Sequence, residues 1–401
     1  MKIGIIREGK IPVDKRTALT PEQAKKLKER FPDTEIFFQP STVRCFSNEE
    51  YLENGILKEE DMSLCDVLLG VKEVPIKDLI ADKTYFFFSH TIKKQPYNRE
   101  LLREMLKKNI RLIDYETLTD KNKNRVIAFG RYAGLVGAYN GLRAFGLKYG
   151  IFNLKPVHAC FDLSEMRSQL ASVKYPKMKI AVTGGGRVAG GAIETLHSAG
   201  IKRVTPQEFL EKEFEEAVYT QLNSKDYNKR KDGSPFVASD FYTKPELFES
   251  DFAKYTSKIN LLIACAFWDN KAPKLFEIED IAKKDFALNV IADVTCDIDG
   301  SIPTTKRATT IAEPFYDFVR TDKKEVEPFT STENITVMSV DNLPCELPRD
   351  ASNDFGQIML ETVLPALLGE DKDDLIKRAV ICENGKLTEN FAYLQDYVEG
   401  K

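Results

Sequence analysis

The sequence predicts an α/β chain of two domains, each built on a parallel, doubly wound sheet of Rossmann-like type. Three observations predict it. Short apolar runs alternate with helical stretches through both halves, the pattern of strands joined by crossover helices. The second half begins with a run that ends in Gly184-Gly185-Gly186 and opens a helix. The length of 401 residues exceeds what one hydrophobic core usually covers.

Taken in order, Lys2–Ile6 reads as a short strand. Thr20-Pro21-Glu22-Gln23 opens a helix, with Thr20 as cap, Pro21 in the first turn and Gln23 completing a capping box. Strands follow at Glu35–Phe38, Val67–Val71, Tyr85–Ser89 and Arg111–Asp114, with a helix over Asn98–Lys108. The stretch Gly130–Tyr149 is long, apolar and rich in small residues. It is too polar to span a membrane and reads as a helix packed closely between two domains. Lys179–Thr183, Asn260–Ala266 and Ala287–Asp293 are the next strands, and the polar region from Asn223 to Lys258 looks like an insertion. No solenoid repeat or low-complexity tract interrupts this plan.

Composition narrows the partners. A formal net charge of −4 with 30% charged residues gives no reason to expect nucleic acid or an anionic membrane. No run approaches the ~18 apolar residues of a membrane span, and charge interrupts MKIGIIREGK too early for a secretory signal. The seven cysteines are scattered without a CxxC pair, so reduced thiols in the cytoplasm are expected rather than a disulfide framework or a metal site. HExxH, P-loop and GxSxG patterns are absent. The sequence leaves oligomeric state open.

Within KIAVTGGGRVAGGAIETLHSAG, Gly184, Gly186 and Ala189 fit G-x-G-x-x-A. The first position makes a tight turn, the second lets backbone approach a pyrophosphate, and the third lets helix and strand pack closely. The helix start then offers unpaired N–H groups to the phosphates. Gly184, Gly185, Gly186, Arg187, Val188 and Ala189 are therefore the expected dinucleotide contacts, for NAD or NADP. An acid at the end of the next strand would favour NAD. The place for it reads Lys202-Arg203-Val204-Thr205, with no acid and with Arg203 or Arg187 available to a 2′-phosphate.

Lys72 and Glu73 directly follow the run CDVLLGV, and His90 follows TYFFFS. Residues just past parallel strand ends converge on one crevice. An amine and an imidazole meeting there, with Arg7, Arg16 and Glu116 from matching ends or nearby loops, suit proton transfer on an amino-acid or imine substrate. Either residue alone would read as a solvated lysine or a capping histidine. The other two histidines, His158 and His197, lack such settings, and Trp268 reads as packing.

These residues carry a resemblance. IGIIREGKIPVDKRTALTP, the Lys72 and His90 segments and the glycine turn resemble the alanine dehydrogenase and transhydrogenase superfamily. Within it, LLGVKEVPIKDL, KTYFFFSHTIKKQ, RLIDYETL, VIAFGRYAGLVGAYNGL, ATTIAEPF and VMSVDNLPCELPRDASNDFG resemble the lysine-forming saccharopine dehydrogenases, or lysine–ketoglutarate reductases. The insertion is more similar to the reductase domain of bifunctional aminoadipic semialdehyde synthases. The resemblance implies a discontinuous substrate domain (1–135 and 320–401), a dinucleotide domain (136–319) and an active-site cleft between them. It implies that Val337–Leu367 returns toward residues before Gly130. It also implies His90 as acid–base histidine, Lys72 as catalytic lysine, and Glu73 and Glu116 as acids that tune them. Arg16, Lys93 and Gln95 fall on substrate-contacting positions, and Arg125 lies near another. Of Asp293 and Asp297 in DVTCD, Asp297 is favoured as an aspartate near the cofactor. The expected substrates are L-lysine and 2-oxoglutarate, joined reversibly to saccharopine. The rival is an alanine dehydrogenase or another opine or amino-acid dehydrogenase, and a cofactor-binding protein without turnover is the reading from a different class. The chain ends without the second dehydrogenase domain of the synthases, so a separate enzyme is expected to take the product.

Overall fold

Six short strands open the chain: β1 (Lys2–Ile5), β2 (Glu35–Phe38), β3 (Leu57–Lys58), β4 (Val67–Leu69), β5 (Thr84–Phe87) and β6 (Arg111–Asp114). In the computed structural model, which describes residues 1–401, they run parallel in the order β3-β2-β1-β4-β5-β6. The inner strands β4 and β5 are buried on both faces, as their continuous apolar runs VLL and YFF require of a helix-covered parallel sheet, whereas the edge strand β3 is exposed. Helix α1 (Pro21–Arg30) starts on the expected capping box of Thr20 and Gln23. Helix α2 (Arg99–Lys107) buries Leu101, Leu102 and Met105 in a core with Tyr85, Phe87 and Leu112.

The second unit begins with α3 (Gly130–Tyr149) and β7 (Lys179–Thr183), then α4 (Arg187–Ser198), β8 (Lys202–Arg203) and β9 (Val218–Leu222). A two-stranded antiparallel ribbon, β10 (Asn228–Arg230) with β11 (Phe248–Ser250), lies within the region read as an insertion. After β12 (Leu261–Ala264) and β13 (Val290–Asp293) come β14 (Phe315–Phe318), β15 (Glu325–Val326) and β16 (Ile335–Met338). The second large sheet has the order β8-β9-β7-β12-β13-β16-β14-β15, parallel except that β14 runs opposite to its neighbours β16 and β15.

The chain then returns to the first unit. Helix α5 (Pro348–Ile358) brings Phe355 into a ring cluster with Phe88, Tyr115 and Phe129, and β17 (Val380–Glu383) and β18 (Lys386–Leu387) extend the first sheet beyond β6 in antiparallel fashion. Each sheet is eight-stranded and each reverses strand order at its centre, between β1 and β4 and between β7 and β12. Such reversals open a crevice beyond the strand C-termini.

The two units are Met1–Phe129 with Pro348–Lys401, and Gly130–Leu347. This differs from the sequence reading at both crossings. A boundary at 135 would cut α3, which runs unbroken from Gly130. A return at 320 would remove β16, yet Ile335–Met338 is buried between β13 and β14 in the second sheet. Val337 therefore stays with the second unit, and the return begins at Pro348. Helix α3, expected between domains, packs on α4 of its own unit. A Cβ on Gly134 would stand 1.8 Å from the Val188 carbonyl oxygen, and one on Gly191 would stand 2.0 Å from that of Arg131. Only glycine permits backbones this close. No helix is long and apolar enough to cross a membrane.

Candidate active site

In the first unit, the loops leaving β4, β5 and β6 carry Lys72, His90 and Glu116. His90 sits in the left-handed region at φ 55° and begins the tight turn Thr91–Lys93. A non-glycine residue there stores strain that the surroundings must hold. The ring stacks on Phe88, with centroids 6.2 Å apart and planes 17° from parallel. Its Nδ1 lies 3.3 Å from Glu116 Oε2, a spacing at which a protonated Nδ1 donates to the carboxylate. Its Nε2 lies 3.9 Å from Glu73 Oε1. The imidazole thus stands between two carboxylates from neighbouring strand ends.

Glu116 gathers more of the expected set. Lys93 Nζ approaches its Oε1 at 3.5 Å and Arg125 Nη1 at 3.6 Å. Burial works against ionisation of Glu116. It is outweighed by the His90 hydrogen bond and the Lys93 and Arg125 charges, and the carboxyl falls to about 2. Glu73 is buried, takes Lys10 Nζ on Oε2 at 2.6 Å, and leaves Oε1 without a hydrogen-bond partner. A buried acceptor of this kind is costly unless a donor arrives to meet it.

Lys72 is held below its ordinary value, first by burial and next by the Arg16 and Lys10 charges, with Asp14 and Glu73 opposing. The expected opposition from Glu73 is present and is the weaker influence. Arg16 is 3% exposed and rests on the Phe129 ring at 4.2 Å. Its Nε and Nη2 donate to Asp14 at 3.0 and 2.5 Å, so this edge of the guanidinium is turned toward a protein carboxylate. Gln95 is exposed, with its amide oxygen accepting from Tyr97 Oη at 2.7 Å, and it stands apart from the His90 contacts. Arg7 pairs with Glu60 at the surface.

Two acids that the sequence reading passed over organise these loops. Asp114, at the end of β6, is fully buried and accepts the backbone N–H groups of Ser89 (2.9 Å) and Glu116 (2.7 Å). It thereby ties the His90 loop to the Glu116 loop. Glu8 accepts backbone N–H groups from Val71 and Lys72. The available signal was position: both acids stand at or just past a central strand end, like the residues they support.

In the second unit, Gly184 turns at φ 100°, donating its N–H to Leu222 O at 2.8 Å and accepting from Gln221 Nε2 at 2.9 Å. Gly186 caps α4. A cavity of about 550 Å³ opens there, lined by Gly184, Gly185, Gly186, Arg187 and Val188, by Asn223 after β9, and by Cys265 to Asp269 after β12. A Cβ on Gly186 would meet no protein atom within 4 Å. The fold itself therefore makes no demand for glycine there, whereas a ligand drawn close to the turn does. Ala189 lies behind, fully buried in α4. The residues fit a dinucleotide: a tight turn, a bare backbone and a helix start facing one cavity.

Three expectations change here. The strand beside β7 is β9, not Lys202–Arg203, which forms the sheet edge one strand further out. Asn223 therefore occupies the place sought for an acid, and Arg203 instead donates to Gln221 Oε1 at 2.8 Å. Thr205 caps a short helix by accepting the Glu208 N–H. Trp268 lines the cavity rather than a core, as do Tyr227, Phe241 and Tyr242 from the insertion. Asp293 is buried and occupied by Thr295 and Thr305, while Asp297 is partly buried and lies outside the cavity lining. His158 and His197 serve structural contacts, with Glu346 and Tyr219.

Residues 4–136 match the N-terminal domain of the alanine dehydrogenase/PNT family, and residues 163–390 match its C-terminal domain. The chain belongs to the alanine dehydrogenase/PNT family. It is 29% identical over 440 residues to the alpha-aminoadipic semialdehyde synthase of Arabidopsis thaliana, covering 98% of this chain and 41% of that protein. The mitochondrial synthase of Mus musculus is also 29% identical, with 47% of its length covered. The chain thus spans less than half of these relatives. A saccharopine dehydrogenase [NAD(+), L-lysine-forming] of Yarrowia lipolytica is 27% identical over 371 residues, 88% of this chain and 89% of that one. A solved L-alanine dehydrogenase is 16% identical and superposes with a TM-score of 0.65, covering 100% of this chain and 99% of that one. A transhydrogenase from Sinorhizobium meliloti, also 16% identical, gives 0.62, with 97% and 100% covered. These two likenesses concern the fold: two α/β units with parallel-rich sheets are the family architecture.

Proposed function

We propose that the chain is a nicotinamide-dependent oxidoreductase acting on CH–NH groups, of the lysine-forming saccharopine dehydrogenase type. It joins L-lysine and 2-oxoglutarate reversibly to saccharopine. The observation that carries this reading is His90 between Glu73 and Glu116, with Lys72, the residue before Glu73, carrying a proton loosened by burial and two cations. The name of the L-lysine-forming saccharopine dehydrogenase relative supports the choice of lysine and saccharopine.

Condensation needs four events: deprotonation of the lysine ε-ammonium, addition of the amine to the keto carbon, loss of water, and hydride delivery to the imine carbon. Gly184 to Val188 would hold a nicotinamide dinucleotide, which in its reduced form would supply the hydride. The ε-ammonium of free lysine holds its proton to about pH 10.4, so a base must take it. Lys72, its proton loosened by burial, takes it, and Glu73 Oε1, which accepts no hydrogen bond, offers the incoming ammonium an acceptor. His90 gives a proton to the departing hydroxyl, which leaves as water, and is reprotonated from solvent. Glu116 stabilises the imidazolium through Nδ1. Lys93 and Arg125, both substantially exposed, meet the substrate carboxylates. Arg16 contributes chiefly its charge. The first unit serves as substrate domain and the second as dinucleotide domain. Asn223, a neutral residue after β9, neither repels a 2′-phosphate nor binds the ribose by charge, so NADH and NADPH should both serve, within about tenfold.

Nicotinamide oxidation followed at 340 nm should require lysine and 2-oxoglutarate together and should yield saccharopine. Turnover with pyruvate and ammonia alone would move the assignment to alanine dehydrogenase, and binding without turnover would reduce the protein to a cofactor binder. Lys72→Met and His90→Gln should each lower kcat by about 10²-fold or more while cofactor affinity holds. Normal turnover in both would remove the proposed acid–base pair.

A further inference from the structure

Glu8 stands three residues beyond β1, at the point where the first sheet reverses its strand order. The β1–β4 ladder ends with the Ile6 N–H donating to Leu69 O at 3.0 Å. Past that bond the two chains diverge, and the next β4-side amides have no strand partner on the β1 side. Glu8 supplies it. Its Oε1 accepts the Val71 N–H at 2.7 Å and its Oε2 accepts the Lys72 N–H at 2.8 Å.

A carboxylate suits this position because it offers two acceptor oxygens and no donor, spaced for two successive N–H groups. Glutamine would satisfy one amide and turn an NH₂ group toward the other. The second of these amides belongs to Lys72, whose own side chain and that of Glu73 depart from this point. Lysine carries a flexible four-carbon stem, so its amine is placed only as well as its backbone is fixed. Misplacing a reacting group by about 1 Å can cost about 10²-fold in rate.

We propose that Glu8 is the positioning residue of Lys72, a two-pronged side-chain clamp that fixes the exit of β4 so that the amine meets substrate in one place. This rests on the reading of Lys72 as the group that takes the substrate ammonium proton. Glu8 touches no reacting atom itself and acts through the lysine. Burial and Asp14 push its carboxyl up to about 7, against the pull of the two N–H groups, so the two-acceptor form is complete only above that pH.

The test is a double-mutant cycle on the full chain with lysine, 2-oxoglutarate and NADH: unaltered protein, Glu8→Gln, Lys72→Met, and both together. Glu8→Gln should lower kcat by about 10- to 100-fold, leave the NADH Kd within about twofold, and change kcat by less than about threefold when Lys72 is already absent. An equal loss in both backgrounds means that Glu8 supports the domain in general and overturns the proposal, as does full activity in Glu8→Gln. Glu8→Asp keeps the charge while withdrawing it by one methylene, and should show the same dependence on Lys72 if the glutamine variant fails to fold. A native chain inactive on these substrates sinks the functional reading instead. Hydrogen exchange at amides 71 and 72 then decides the clamp: selective acceleration in Glu8→Gln or Glu8→Asp supports it, and unchanged exchange removes it.

Discussion

His90 and Glu116 face each other at 3.3 Å, and the pH response of the fold should reveal the contact. A carboxyl that is more acidic in the folded chain than in the open one adds stability at pH above its ordinary value. It surrenders that stability as pH falls through its folded value. For Glu116 the window runs from the ordinary 4.5 down to about 2. Thermal midpoints recorded from pH 5 to pH 2 should therefore fall more steeply for the native chain than for Glu116→Gln. Parallel curves would show that the carboxylate gains nothing from His90, Lys93 and Arg125. Glu8 has the opposite sign: its folded value near 7 binds a proton that the open chain has released, so its contribution weakens as pH rises from 4.5 toward 7. At this scale the grouping of His90 with Glu73 and Glu116 was legible, because chemistry and strand position coincided there. Glu8 and Asp114 were not, because strand-end position alone does not distinguish an acid that binds backbone amides from one that faces water.

At the scale of elements, the crossing of α3 and α4 is the contact least tolerant of change. Gly134 and Gly191 let each helix lie on the backbone of the other. Gly134→Ala must push Val188 away and should cost about 1–3 kcal/mol. For a domain of this size that is about 2–4 °C in Tm per kcal/mol, readable by calorimetry, and an unshifted Tm would mean that the helices separate without penalty. The small-residue run forecast a close contact, although its partner proved to be α4. Helix starts and buried strands were legible because capping residues and apolar runs act locally. The antiparallel strands β14, β15, β17 and β18 were not, since their pairing depends on partners far along the chain. The same limit explains Arg203. Sequence order made Lys202–Arg203 the neighbour of β7, whereas β9, a longer and largely buried strand, takes that place. The ribbon β10–β11 shows that a polar stretch can still deliver a cavity wall, through Tyr227, Phe241 and Tyr242.

For the whole molecule, connectivity divides the two units unequally. Gly130–Leu347 is continuous and contains every strand of its own large sheet, whereas the first unit is assembled from two distant segments. Expressed alone, residues 130–347 should give a cooperative thermal transition and retain nicotinamide binding within about tenfold. Residues 1–129 alone should not, because β6 would lose β17, and Phe88, Tyr115 and Phe129 would lose Phe355. A stable, cooperative 1–129 fragment would contradict this account.

The same break in the first unit sets a timetable for synthesis. Translation yields β1 to β6 early, but Phe355 and Val380 emerge only after the whole of the second unit has been made. Domains ordinarily fold in the order in which they leave the ribosome. Here the later one can finish first, while the earlier one waits with the β6 edge open and three aromatic rings uncovered. The nascent chain therefore carries its most aggregation-prone surface during the very interval in which its partner segment does not yet exist.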